Sequence, residues 1–166
     1  MRFLDYKSYF DSNLLLASGF IIIFVFFIAI LIFFTLRKRY QKLSLAIPII
    51  LTISQIFPLF FIVNGYGLNG YEIIVKRFLN SNVYIKRNAI SEIRIINNDE
   101  LSGITRTLGV YGQWGYYGRF DSKKLGKMTW YVTNLKNLIF IKLKNGEGVL
   151  ISPGDQNKFF NDYNSR

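Results

Sequence analysis

The side chains that could do chemistry in this chain are few, and their types narrow its function before any fold is considered. None of the 166 residues is His or Cys. That removes the Ser-His-Asp and Cys-His nucleophile systems and the usual zinc sites, because each needs an imidazole or a thiolate. It removes disulfides as well. A paired-carboxylate site stays open in principle at Asp99-Glu100. These acids follow Asn97-Asn98 in a polar turn, where adjacent carboxylates read as solvated turn residues rather than as a general acid and base. The same stretch lacks the alternating oxygen ligands and distal Glu of a calcium loop. The expectation is no enzyme: no catalytic residue, no metal and no cofactor.

Two other patterns have chemical meaning without catalysis. Lys76, Arg77, Lys86 and Arg87 could contact an anion or a lipid headgroup, although basic residues at strand ends also serve as solvated caps and edge protectors. The second pattern is Gly109-x-x-Gly112-x-x-Gly115-x-x-Gly118, interleaved with Tyr111, Trp114, Tyr116, Tyr117 and Phe120. It is not a phosphate loop, since no Gly-Lys-Ser/Thr follows and no strand-to-helix context surrounds it. Four glycines let the backbone turn sharply, and aromatic rings with polar edges suit a ligand-facing rim or the membrane interface. Trp114, Tyr116, Tyr117 and Arg119 are the candidate contacts there. A purely structural reading stands beside these two: an irregular excursion whose rings pack over the mouth of a barrel.

The elements that must position these residues begin with two apolar blocks, 14–36 and 43–63, neither of which contains a charged side chain. As helices they would be roughly 34 and 31 Å long, against a hydrocarbon layer of about 30 Å. They read as a transmembrane hairpin over residues 1–63. A secretory signal would have a basic start, a shorter core and a small-residue cleavage site, whereas Asp5 and Asp11 accompany the early basic residues here. Pro48 and Pro58 are tolerated in a membrane helix when neighbours satisfy the freed carbonyls. Ser44, Thr52 and Gln55 share one face with Pro48, and that face should turn toward the first span near Ala17, Ser18, Gly19 and Ala29. The basic loop 37–42 has four Lys or Arg in six residues, more densely than either other flank. The positive-inside rule then puts this loop in the cytoplasm and the C-terminal domain outside it.

Residues 64–70, Asn-Gly-Tyr-Gly-Leu-Asn-Gly, read as a turn-rich linker on which residues 71–166 could pivot. Beyond it, strand signals dominate: Tyr71, Ile73 and Val75 alternate with polar residues, as do Val83 and Ile85, and 93–96 is a β-branched run. Ile139, Ile141 and Leu143 share one strand face, and Asn145-Gly146 predicts a tight turn into Val149-Leu150-Ile151, with both central residues at positive φ. Asp155 should cap a closing helix whose Phe159 and Tyr163 face the sheet. Antiparallel strands closed by one amphipathic helix describe a half-open barrel. Six of the 21 basic residues and two of the ten acids precede Asn64, leaving a net charge of +7 in the remainder. Such a surface beside a bilayer is attracted to anionic headgroups. Nucleic acid is not expected, because the basic residues form no helix stripe or recognised binding motif.

The stretch 115–120 (Gly-Tyr-Tyr-Gly-Arg-Phe), then Leu125-Gly126, Tyr131-Val132-Thr133, Asn137-Leu138-Ile139 and Val149-Leu150-Ile151-Ser152-Pro153 with Asp155, resembles the bacterial pleckstrin-homology-like (PH-like) domains of small two-span membrane proteins. The resemblance covers roughly the last hundred residues. It implies a PH-like β-rich half-open barrel closed by a C-terminal α-helix, and a bacterial cell membrane as its place. Phosphoinositide-binding relatives present basic residues around their first two strands, where Lys76, Arg77, Lys86 and Arg87 stand. The fuller signature, Lys followed later by Arg-x-Arg, is missing after Gly70. The expected function is a non-catalytic module anchored in the bilayer that binds a protein partner or an anionic lipid or ligand. The alternative is a structural component that forms homo-oligomers or a membrane complex and takes no small ligand.

Overall fold

The computed structural model describes residues 3–111 and 113–165. In chain order they form β1 (Leu4–Lys7), α1 (Ser12–Leu36), α2 (Gln41–Ser54), β2 (Val63–Leu68), β3 (Glu72–Arg77), β4 (Val83–Lys86), β5 (Ile90–Ile96), β6 (Ile104–Tyr111), β7 (Tyr116–Ser122), β8 (Gly126–Val132), β9 (Leu138–Leu143), β10 (Gly148–Ile151) and α3 (Gln156–Asn164).

The helical hairpin forms as the apolar pattern requires. Asp11 caps α1, its side chain accepting from the Asn13 N–H at 2.9 Å. The two stretches Ser12–Leu36 and Gln41–Phe61 are long and apolar enough to cross a membrane, and only 6% and 11% of their most apolar windows are buried. Core helices of a water-soluble protein would bury that surface. The second stretch is not one continuous α-helix, as 43–63 was expected to be. It stops at Ser54 and resumes as a 3₁₀ turn, Phe57–Phe61. Pro58 explains the break, since its ring collides with the carbonyl four residues earlier, that of Ser54. Ser44, Pro48 and Thr52 line a groove with Ala29, so the polar face of α2 does meet α1.

Two sheets make up the rest, in the orders β1-β2-β3-β4 and β5-β9-β10-β8-β7-β6. Pairing is antiparallel throughout, except that β10 runs parallel to β8. Inward-facing residues from both sheets, among them Tyr66, Ile73, Val75, Tyr117, Ile139 and Ile151, form one core with Phe159 and Tyr163 of α3. The expected faces of β9 and α3 are therefore confirmed, and Asp155 caps α3 through the Lys158 N–H at 2.9 Å. A smaller core of Phe120, Met128, Trp130 and Phe140 lies on the opposite face of the second sheet. The β9–β10 turn is looser than the tight form expected. Leu143 N–H donates to Glu147 O at 2.8 Å around a longer loop, and of Asn145 and Gly146 only the glycine has positive φ.

Two corrections concern how the hairpin joins the sheets. Residues 64–70 are not a pivot: most of them form β2, in which Val63, Tyr66 and Leu68 are fully buried. Gly65 and Gly67 are there because strands and rings approach closely. A Cβ on Gly65 would lie 2.6 Å from Tyr6 O, and one on Gly67 2.7 Å from the Phe3 ring. Nor is residues 1–63 a separate membrane unit, because β1 pairs with β2 from Leu4↔Leu68 to Lys7↔Gly65. Further bonds hold the segment after β1. Ser8 Oγ donates to Val63 O at 2.8 Å, and Thr133 Oγ1 and Asn134 Nδ2 both donate to Tyr9 O, at 3.0 and 2.9 Å. The helical hairpin is thus an excursion between two adjacent strands of one β-domain.

Candidate functional site

The glycine-spaced aromatic segment is the tip of the β6–β7 hairpin, and it reaches the helices. Gly109 and Gly118 face one another across the two strands with φ of 141° and 126°, beside a bulge between Arg106 and Leu108. A Cβ on either would overlap the other strand's backbone. This close approach bends the tip toward the helical hairpin. There Trp114 N–H donates to Ser18 Oγ of α1 at 3.0 Å, and Gln113 Nε2 donates to Gln55 Oε1 beyond α2 at 3.1 Å. Tyr117, almost fully buried, donates its OH to Trp114 O at 2.7 Å and accepts from the Val63 N–H at 3.3 Å. Trp114 itself sits at φ 60°, a conformation that costs a non-glycine residue on the order of 1–3 kcal/mol. The surrounding bonds hold it there.

Beside this clamp, where the hairpin leaves the β-domain, lies a cleft of about 400 Å³. Phe57 and Phe61 of the 3₁₀ turn and Leu108 of β6 supply its apolar wall, and Arg77, Arg119 and Tyr131 supply its polar groups. The sheet pattern places them. Arg77 ends β3 next to Val63, while Arg119 pairs with Thr129 two residues from the Tyr117↔Tyr131 pair, so all four share the inner face of the second sheet. Burial pushes the Tyr131 phenol up, and Arg77 and Arg119 both pull it back, as two cations facing one hydroxyl must. Arg77 Nε is fixed by Ser81 O at 2.6 Å. Among the described residues neither arginine has an acidic partner.

The bacterial PH domain family model matches residues 64–166. This chain belongs to the bacterial PH domain family. No curated protein and no solved structure matches it. The matched region begins at β2, so the edge strand β1, supplied from ahead of the helices, lies outside it while pairing with the first sheet.

Within the PH domain the four basic residues expected to act together are separated. Lys76 pairs with Asp5 at 2.6 Å and lies over the Phe3 ring. Arg77 lines the cleft. Lys86 and Arg87 stand at the other end of the sheet, where Glu72 pairs with Lys86 in register. There Arg87 Nη2 donates to Tyr163 O at 2.7 Å and its guanidinium stacks 4.0 Å from the Tyr163 ring. Of the aromatic candidates, Trp114 and Tyr117 build the clamp, Arg119 lines the cleft, and Tyr116 packs against the smaller core. Gly112 lies outside the described residues. Phe57, Phe61, Leu108 and Tyr131 were not expected at a site. Tyr131 carried a signal in its place one residue off the Met128-Trp130-Val132 face, but nothing local aimed it at an arginine. Of the adjacent acids Asp99 and Glu100, Glu100 binds Arg94 at 2.7 Å and is held below the usual carboxylate range by that bond. No group of metal-ligating side chains occurs among the described residues.

Proposed function

We propose that this chain is a non-catalytic PH module anchored by its helical hairpin in a bacterial cell membrane, and that it binds an anionic ligand or partner at the bilayer surface. The observation that supports it is the placement of the cationic cleft at the root of the hairpin, beside a clamp that ties both helices to the domain. A binding face so held meets the membrane surface in one orientation. Loop 37–42 lies in the cytoplasm and the PH domain on the opposite side, by the density of Lys and Arg in that loop. Single-cysteine labelling tests this without native background, because the chain has no Cys. Gln41 and Lys123 are both exposed. In intact cells a membrane-impermeant thiol reagent should label Lys123→Cys and spare Gln41→Cys. Labelling of Gln41→Cys alone reverses the sidedness, and release of the protein by alkaline carbonate overturns the anchoring.

A further inference from the structure

We propose that the cleft between the PH domain and the helical hairpin holds one anionic lipid of the surrounding bilayer, its headgroup between Arg77 and Arg119 and its chain region along Phe57, Phe61 and Leu108. This rests on the anchored reading above and names the ligand class. Three features of the cleft carry it. Its volume, about 400 Å³, is that of a small-ligand site. Its polar donors are two guanidiniums without acidic partners among the described residues, and a planar guanidinium suits a phosphate oxygen pair. Its apolar wall is open to the surface that would meet lipid: Phe57 is 61% and Leu108 70% exposed, and Ile56 and Phe60, next to Phe57 and Phe61 in the chain, are exposed as well. The turn after Arg77 adds exposed Phe78 and Leu79 at the same level, where Phe78 N–H bonds to Ile62 O at 2.9 Å.

A soluble anion would use the arginines and leave the apolar wall in water. A zwitterionic lipid would use the wall but bring its own cation to two others. An anionic lipid satisfies both surfaces. Its headgroup need not leave the interface, because the cleft is where the last turn of the second helical stretch enters β2.

The test uses the full chain in phosphatidylcholine nanodiscs containing a minor fraction of photoreactive phosphatidylglycerol or, separately, photoreactive phosphatidylcholine. Phosphatidylglycerol should crosslink preferentially within residues 57–61 and at Leu108. Arg77→Gln/Arg119→Gln should reduce that crosslinking roughly tenfold or more, since each charge-assisted contact alone is worth about that factor. Thr129→Trp, which fills the cleft while leaving both arginines, should reduce it as well; thermal melts confirm that each variant is folded. Equal crosslinking of the two lipids overturns the proposal, as does phosphatidylglycerol crosslinking that survives both variants. Inorganic phosphate bound at Arg77 and Arg119 with no phosphatidylglycerol crosslink would make the occupant a soluble anion, and a Leu108→Cys disulfide dimer with no such crosslink would make it a second copy; either overturns the lipid. A protein that stays anchored yet shows no lipid preference fails this proposal alone. Carbonate release fails the anchoring.

Discussion

The two ends of the first sheet carry the same chemistry and use it differently. At the end near the helices, Arg77 has its Nε held by a carbonyl and faces Arg119 across an open cleft. At the far end Arg87, also half-buried, is bonded to Tyr163 O and stacked on the Tyr163 ring, so it fastens α3 to the sheet. In sequence both are the second member of a basic pair at a strand end. The difference lies in what packs over each one: a helix with a free carbonyl and an aromatic face at one end, a shallow apolar wall and a second cation at the other. A guanidinium whose terminal nitrogen bonds a carbonyl and whose plane stacks on a ring contributes to stability, and one held only through Nε beside a second guanidinium remains available to a ligand.

This contrast can be broken at several points. The largest effect is expected at Gly118→Ala, whose Cβ would overlap the Leu108 carbonyl and whose φ is positive. Roughly 3 kcal/mol of stability should be lost, read by chemical denaturation of the full chain in micelles. A variant as stable as the parent would show that the near end does not depend on this close approach. Next comes the pair Arg87→Ala and Arg77→Ala. The first should cost about 2 kcal/mol through the lost carbonyl bond and ring contact, and the second no more than about 0.5 kcal/mol. Equal costs would erase the distinction between the ends.

The core between the ends has a pH signature. Burial pushes the Tyr66 phenol from 10.0 up to about 12, even though its oxygen accepts from the Ser152 N–H at 3.1 Å. The unfolded chain sheds this proton first, so the contribution is intact below pH 10.0 and is lost as the pH rises toward about 12. Unfolding midpoints across that window should fall more steeply in the parent than in Tyr66→Phe. Parallel declines would mean that Tyr66 is not the group responsible. Ser18→Ala should cost about 1 kcal/mol and speed amide exchange over 113–118 while sparing 83–89, which separates the clamp from the far end. Lys76→Gln should change stability least, by less than about 1 kcal/mol. Its bond to Asp5 is half in water.

Where the sequence pattern was periodic and local, it was legible. The apolar lengths gave both helices, alternation gave β9, the apolar run after Asn145-Gly146 gave β10, and Asp155 with Phe159 and Tyr163 gave α3 and its buried face. The misreadings share a cause. Asn64 to Gly70 looked like a linker because Gly65 and Gly67 suggest mobility, yet their missing side chains make room for Tyr6 and Phe3, residues about sixty positions away. The strand Leu4–Lys7 is too short to signal itself and becomes a strand only by pairing with β2. The aromatic tip was read as a ligand-facing rim, a membrane contact or an excursion packed over a barrel mouth, and none of these named the groups it binds, Ser18 and Gln55 of the helical hairpin. Half the cleft was within reach, since Arg77 and Arg119 had been singled out separately. Their meeting was not.

By itself the sequence determined composition-limited properties: two stretches apolar enough to cross a membrane, the absence of any imidazole or thiol, a basic remainder and the family of its last hundred residues. These depend on counts and short spacings, which survive without a fold. Only the tertiary structure decided that the hairpin interrupts one β-domain, that the glycine-spaced tip clamps both helices, and that Arg77 faces a cleft while Arg87 is locked to α3. Each of those rests on contacts between residues far apart in the chain. Their geometry is set by strand register and by what packs above each side chain, and no local pattern encodes either.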